Sequence, residues 1–220
     1  MRRRAPCGNL PGGYAPRTVS ERTRRITRSG SVAAYLVATT GSLGVLTLGL
    51  YASNAHPWGT VNDLFRLVMT AALPPLMLTY YEMGGWFPLR LAQVAQALGW
   101  LSAVAWCALQ LLSALGVLTV DYGHGASGAL AVQTWALVYL GLWMAGGNIV
   151  AGSWLSWIRW VGLLAGIGTV VLGYGLLTEG IGGAWTFAGS IGYLAVLPVW
   201  ALLMGRHLRR VTAAMDATPV

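Results

Sequence analysis

Asp63 and Arg66 stand three residues apart in an apolar stretch, "NDLFRLVMTAALPPLMLTYYEMGG" over 62–85. On a helix that spacing puts both side chains on one face, where an acid and a guanidinium can satisfy one another or grip a polar ligand together. Ionisable groups inside a membrane are costly, so their presence marks a candidate site. Counting about 1.5 Å per residue from the ends of the apolar runs brings Ser113 and Gln133 to the depth of Arg66, roughly 6 to 8 Å below the surface. Gln110 lies one turn deeper on the face of Ser113. Polar side chains in a helical bundle turn inward. A polar pocket built from Asp63, Arg66, Gln110, Ser113 and Gln133 is therefore expected, with His56, Asp121, His124 and Glu179 at its rim. The plainer alternative has Arg66 snorkelling to headgroups while the glutamines bond to neighbouring helices.

Catalysis needs a different set. Glu82 or Asp63 could protonate an isoprenoid, with the resulting cation held on tryptophan faces, and the chain has 11 Trp. That describes a membrane-embedded cyclase or isomerase. Most membrane tryptophans are interfacial anchors, as Trp154, Trp157 and Trp160 around Arg159 suggest; Trp100, Trp106, Trp135 and Trp143 fall inside apolar runs and need partners for their ring N–H. "GHGASGAL" at 123–130 is similar to the nucleophile motif of rhomboid proteases, with Ser127 in the serine's place. No histidine within a later apolar run can serve as its base, so a plain Gly-Ala-Ser-Gly helix start is the reading. His56, His124 and His207 lie at span edges, unsuited to axial haem ligation or to a metal site, and neither a metal nor a cofactor is expected.

The elements that must position these residues are membrane helices. The 220 residues are 56% hydrophobic and only 9% charged, against about 25% charged in soluble domains. Six apolar runs, 31–52, 61–81, 91–118, 129–149, 157–178 and 184–206, have the length of about 20 residues that spans a bilayer. The expected fold is all-α: a polytopic membrane helix bundle of six transmembrane helices over 31–206, between an Arg-rich tail over 1–30 and a C-terminal tail over 207–220. Asn62 reads as the N-cap of the second span, with Asp63 against the positive end of its dipole.

All 14 basic residues are Arg, and apart from Arg66 they lie in the tails or in the loops after the second and fourth runs. The positive-inside rule makes that side the cytoplasm, with both termini there, as in a bacterial inner-membrane protein. The net charge of +8 suits anionic headgroups, and no nucleic-acid partner is expected. Cys7 and Cys107 should lie at different depths, so no disulfide is expected.

Pro74 and Pro75 remove two backbone donors from the middle of the second span and predict a kink there. Small residues predict close packing of the last three spans: Gly141 with Ala145, Gly162 with Gly166, and the series Ala184, Ala188, Gly192. At "LFRLVMTAAL" (64–73) and "YLGLWMAGGNIVAGSWLSWIRWVGLLAGIGTVVLG" (139–173) the chain resembles a family of small six-span bacterial integral membrane proteins of unknown function. That resemblance implies a topology and no activity. The expected function is binding of a membrane lipid or other apolar small molecule, or service as an accessory subunit, as a homo-oligomer or within a larger membrane complex.

Overall fold

The computed structural model describes residues 21–53, 55–84, 89–117, 128–150 and 156–217. Among them all regular structure is helical: α1 (Glu21–Ser53), α2 (Ala55–Gly84), α3 (Leu89–Ala114), α4 (Ala129–Val150), α5 (Ser156–Thr178), α6 (Ala184–Ile191), a π-helical segment (Gly192–Val196) and α7 (Leu197–Asp216). The last three follow one another without a break, so the molecule is a bundle of six rods. Five are long and apolar enough to cross a membrane, through Glu21–Leu50, Trp58–Tyr80, Gln93–Ala114, Trp157–Thr178 and Ala184–Asp216. The sixth rod, α4, has 22 residues and no charge.

The outer surface is apolar, with Leu46, Leu101, Val104, Leu164 and Phe187 exposed on four different rods. Water would not tolerate such a surface on every side, whereas lipid tails solvate it. Helix α3 is the most peripheral, with 22% of its apolar window buried against 44% for α1 and α2.

Small residues set the close approaches, in a different distribution from the expected one. The tightest packing includes α1, which lies along α2 and α7 through a stripe of Gly30, Ala34, Ala38 and Gly41. A Cβ on Gly30 would strike the Thr79 side chain, and one on Gly41 would strike Pro198 and Met69. Between α4 and α5 the expected pairs do meet, Gly141 against the backbone at Gly166 and Val170, and Gly166 against Ala145. On the last rod, however, Ala184 and Ala188 are exposed. Thr186, Gly189 and Gly192 are buried instead. The Thr186 hydroxyl donates to the Gly180 carbonyl (2.6 Å), which turns that face inward.

Helix α2 begins at Ala55, so Asn62 is an interior residue about two turns in and does not cap the helix. Pro74 and Pro75 both lie inside it. Their missing N–H groups leave the carbonyls of Thr70 and Ala71 without intrahelical donors.

One end of the bundle gathers the arginines. Arg22 donates to Glu82 at the end of α2 (2.7 Å), Arg28 to Asp216 at the end of α7 (2.9 Å), and Arg24 to the Met215 carbonyl (3.1 Å). Arg159 donates to the carbonyls of Asn148 (3.0 Å) and Ile149 (2.7 Å), satisfying acceptors that the C-terminus of α4 cannot bond internally. Just inside this end, the Tyr80 hydroxyl donates to Asn148 Oδ1 (2.9 Å) beside the fully buried Trp200. Arg66 alone among the described arginines lies toward the other end.

Candidate functional site

Toward that other end lies a cavity of about 380 Å³, within the range of roughly 300 to 1,000 Å³ typical of small-molecule pockets. All six rods contribute to its wall. Asp63, Arg66, Ser113 and Gln133, from three helices, line it together. Gln110 is not part of the wall. It is buried between Trp106 and Ser113 on the same face of α3, and its Oε1 accepts no hydrogen bond.

The placement of Arg66 is set by Asn62, which is 6% exposed. In the amide orientation that satisfies both ends, Asn62 Nδ2 donates to the Gly44 carbonyl of α1 (3.0 Å) and its Oδ1 accepts from Arg66 Nε (3.2 Å). Gly44 thereby fixes the amide, and the amide fixes the guanidinium. The expected closure of Arg66 onto Asp63 does not occur: the ion pairs among the described residues are Arg22–Glu82, Arg25–Glu21 and Arg28–Asp216. The guanidinium's remaining donors and the Asp63 carboxylate both stay available to the cavity.

The inner wall brings residues that sequence reasoning did not single out as ligands. Trp106 and Tyr193 line the cavity, and both are buried with the Nε1–H and the hydroxyl unbonded. The Thr70 hydroxyl lies beside that of Tyr193 and, like it, is buried without a well-formed hydrogen bond. Leaving one such group unpaired costs about 1 to 3 kcal/mol. Two of them on the wall of one space, Trp106 and Tyr193, favour an occupant that bonds to them. Apolar wall comes from Leu48, Leu137, Leu172, Leu176 and Leu194.

The π-helical segment places Tyr193 and Leu194 on this wall. Its Gly192 meets Gly168 of α5 backbone to backbone, an approach that any side chain at either position would prevent. Thr186, Ser190 and Tyr193 repeat at i, i+4 and i+7, so they form a polar stripe on one face of an otherwise apolar rod. That stripe is the signal by which the sixth rod's contribution could have been found.

Other candidates are placed elsewhere. Glu179 accepts from the Trp185 backbone N–H (3.1 Å), closing the turn before α6 instead of lining the cavity. Glu82 is paired with Arg22 at the far end of α2, about 28 Å along the helix axis from Asp63. Trp100 and Trp135 are exposed on the outer surface, and Trp143 packs on Gly99, so of the four tryptophans within apolar runs Trp106 alone reaches the cavity wall. His56 lies in the first turn of α2 with its side chain outside the described residues, as are Asp121 and His124 altogether. Among the described residues no group of His, Cys, Asp and Glu is arranged to hold a metal ion. Comparison with protein-family models, curated proteins and solved structures finds no match, so the reading of this site rests on its own chemistry.

Proposed function

We propose that the chain is a membrane-embedded binding protein whose cavity holds an amphiphile, such as a lipid, with the polar end at Arg66 and the apolar body along the leucines. The observation that carries this is the guanidinium held by Asn62 on the wall of a cavity that also presents the unbonded Trp106 N–H and Tyr193 hydroxyl. A structural arginine would spend its donors on its neighbours. Binding as a free-standing carrier or as an accessory subunit uses the same site.

The proposal includes six spans, with α4 as the sixth. Its support is that Leu137, Leu140 and Met144 of α4 are fully buried and that α4 lies against α5. The arginine-rich end is placed in the cytoplasm of a bacterial inner membrane with both termini, and the cavity toward the exterior, by the positive-inside rule. The two prolines bend α2 between the cavity and the arginine-rich end.

The test is to purify the wild type and Arg66→Ala in polymer nanodiscs cut from the native membrane and to compare bound small molecules by mass spectrometry. The wild type should carry an amphiphile that falls by about tenfold or more in the variant, the value of one lost charge-assisted contact. A folded wild type with no specific occupant would end the proposal. An isoprenoid cyclase is placed second, because among the described residues lining the cavity Asp63 is the one acid and Trp106 the one indole.

A further inference from the structure

Two opposite charges share the cavity wall without neutralising each other. Asp63 and Arg66 are spaced for an i,i+3 pair, which helices form readily, yet no ion pair joins them. Asn62 and Gly44 draw the guanidinium aside. Among the described residues lining the cavity, Asp63 and Arg66 are the charged ones, so this part of the wall is balanced in charge but locally split.

The unbonded neutral groups are split in kind as well. On the wall, Trp106 Nε1 can only donate, whereas the Tyr193 hydroxyl can donate or accept. A purely anionic ligand would bond to Arg66, Trp106 and Tyr193 but would face the Asp63 carboxylate. A purely cationic ligand would suit Asp63 but would face Arg66. An uncharged one would leave both charges uncompensated in a partly desolvated space, the costly arrangement.

From this we infer that the ligand's polar end is a zwitterion: an anionic group, phosphate or carboxylate, on Arg66 with Trp106 and Tyr193, and an ammonium on Asp63. The inference rests on the cavity being a ligand site, as proposed above. Its chemistry is shared by zwitterionic lipid headgroups and by small soluble zwitterions, and the experiment separates them.

The protein is reconstituted in nanodiscs of equal phosphatidylethanolamine and phosphatidylglycerol with matched acyl chains, released into detergent, and the lipid still bound is counted by native mass spectrometry. Wild-type protein should keep the zwitterionic lipid over the anionic one by about tenfold, the value of one charge contact. Asp63→Asn should erase that preference while retaining lipid, and Arg66→Gln should lower retention of both. Thermal unfolding of each variant confirms that it is folded, and the wild-type ratio tests the idea without any variant. Equal retention of the two lipids by wild type, or an unchanged preference in Asp63→Asn, overturns the zwitterion while leaving the binding function standing. Failure to retain any lipid or to bind glycerophosphoethanolamine overturns both. Displacement of bound lipid by glycerophosphoethanolamine supports recognition of the headgroup alone, as for a soluble zwitterion, and retention against it supports a lipid.

Discussion

Asn62 decides where the charge of Arg66 points. Its amide bridges Gly44 of α1 and Arg66 Nε, and without it the guanidinium is free to swing onto Asp63, the pairing that helix spacing favours. Asn62→Ala should therefore cut ligand retention about tenfold, with both charges still present. Retention equal to wild type would show that Asn62 has no part in presenting Arg66. A second prediction concerns the far end, where the Tyr80 hydroxyl donates to Asn148 Oδ1 (2.9 Å) and Asn148 Nδ2 donates to the Met144 carbonyl (2.8 Å). Asn148→Ala removes this buried hydrogen bond and should destabilise by about 1 to 3 kcal/mol, read as a lowered unfolding temperature, with ligand selectivity unchanged because Asn148 is not among the residues lining the cavity. Asp63, Arg66, Ser113 and Gln133 could be grouped from sequence because depth can be counted along apolar runs. Asn62 could not be given its role, since the helix starts at Ala55, inside what reads as a loop.

At the scale of helices, two irregular places flank the cavity: the proline pair of α2 and the π-helical segment before α7. If Pro74 and Pro75 bend α2 by about 20°, straightening it would move position 60, roughly 21 Å before the prolines, sideways by about 7 Å. A Pro74→Ala/Pro75→Ala variant with spin labels at the exposed positions 60 and 117 should show a distance change of several ångströms, by roughly the same argument. Distances that coincide with those of the labelled parent would mean that the prolines fit a straight helix. In the π-helical segment, Gly192→Val should force apart the backbones of Gly192 and Gly168, costing about 1 to 3 kcal/mol and moving Tyr193 on the cavity wall; lost stability and lost lipid retention should appear together. The proline signal is plain in the sequence, but the π-helical segment is not. "GYLAV" over 192–196 has the same apolar character as its surroundings, and what singles it out is contact with α5, a non-local fact.

Across the whole molecule, charge and cavity are segregated to opposite ends. The α1 extension reaches α2 and α7 through Arg22–Glu82 and Arg28–Asp216. These pairs are largely exposed, and each should contribute less than about 1 kcal/mol. The arginine-rich end was legible as a set from the placement of Arg alone, as were the lengths of the rods. The packing order was less so, because Gly and Ala occur on nearly every rod and only the assembled bundle shows which of them meet: the Gly30–Gly41 stripe of α1 is used, and Ala184 and Ala188 of α6 are not. In a background lacking Cys7 and Cys107, a cysteine at the exposed Gly182 should react with a membrane-impermeant maleimide on intact cells, and one at Arg209 only after permeabilisation. The reverse pattern would invert the orientation. The most direct test of a ligand site centred on Arg66 is a map of the protein in native-membrane nanodiscs. Elongated non-protein density should lie along Leu137, Leu172 and Leu176 with its head within hydrogen-bonding distance of the Arg66 guanidinium; a cavity holding only water-sized peaks, with Arg66 bonded to protein alone, would contradict it.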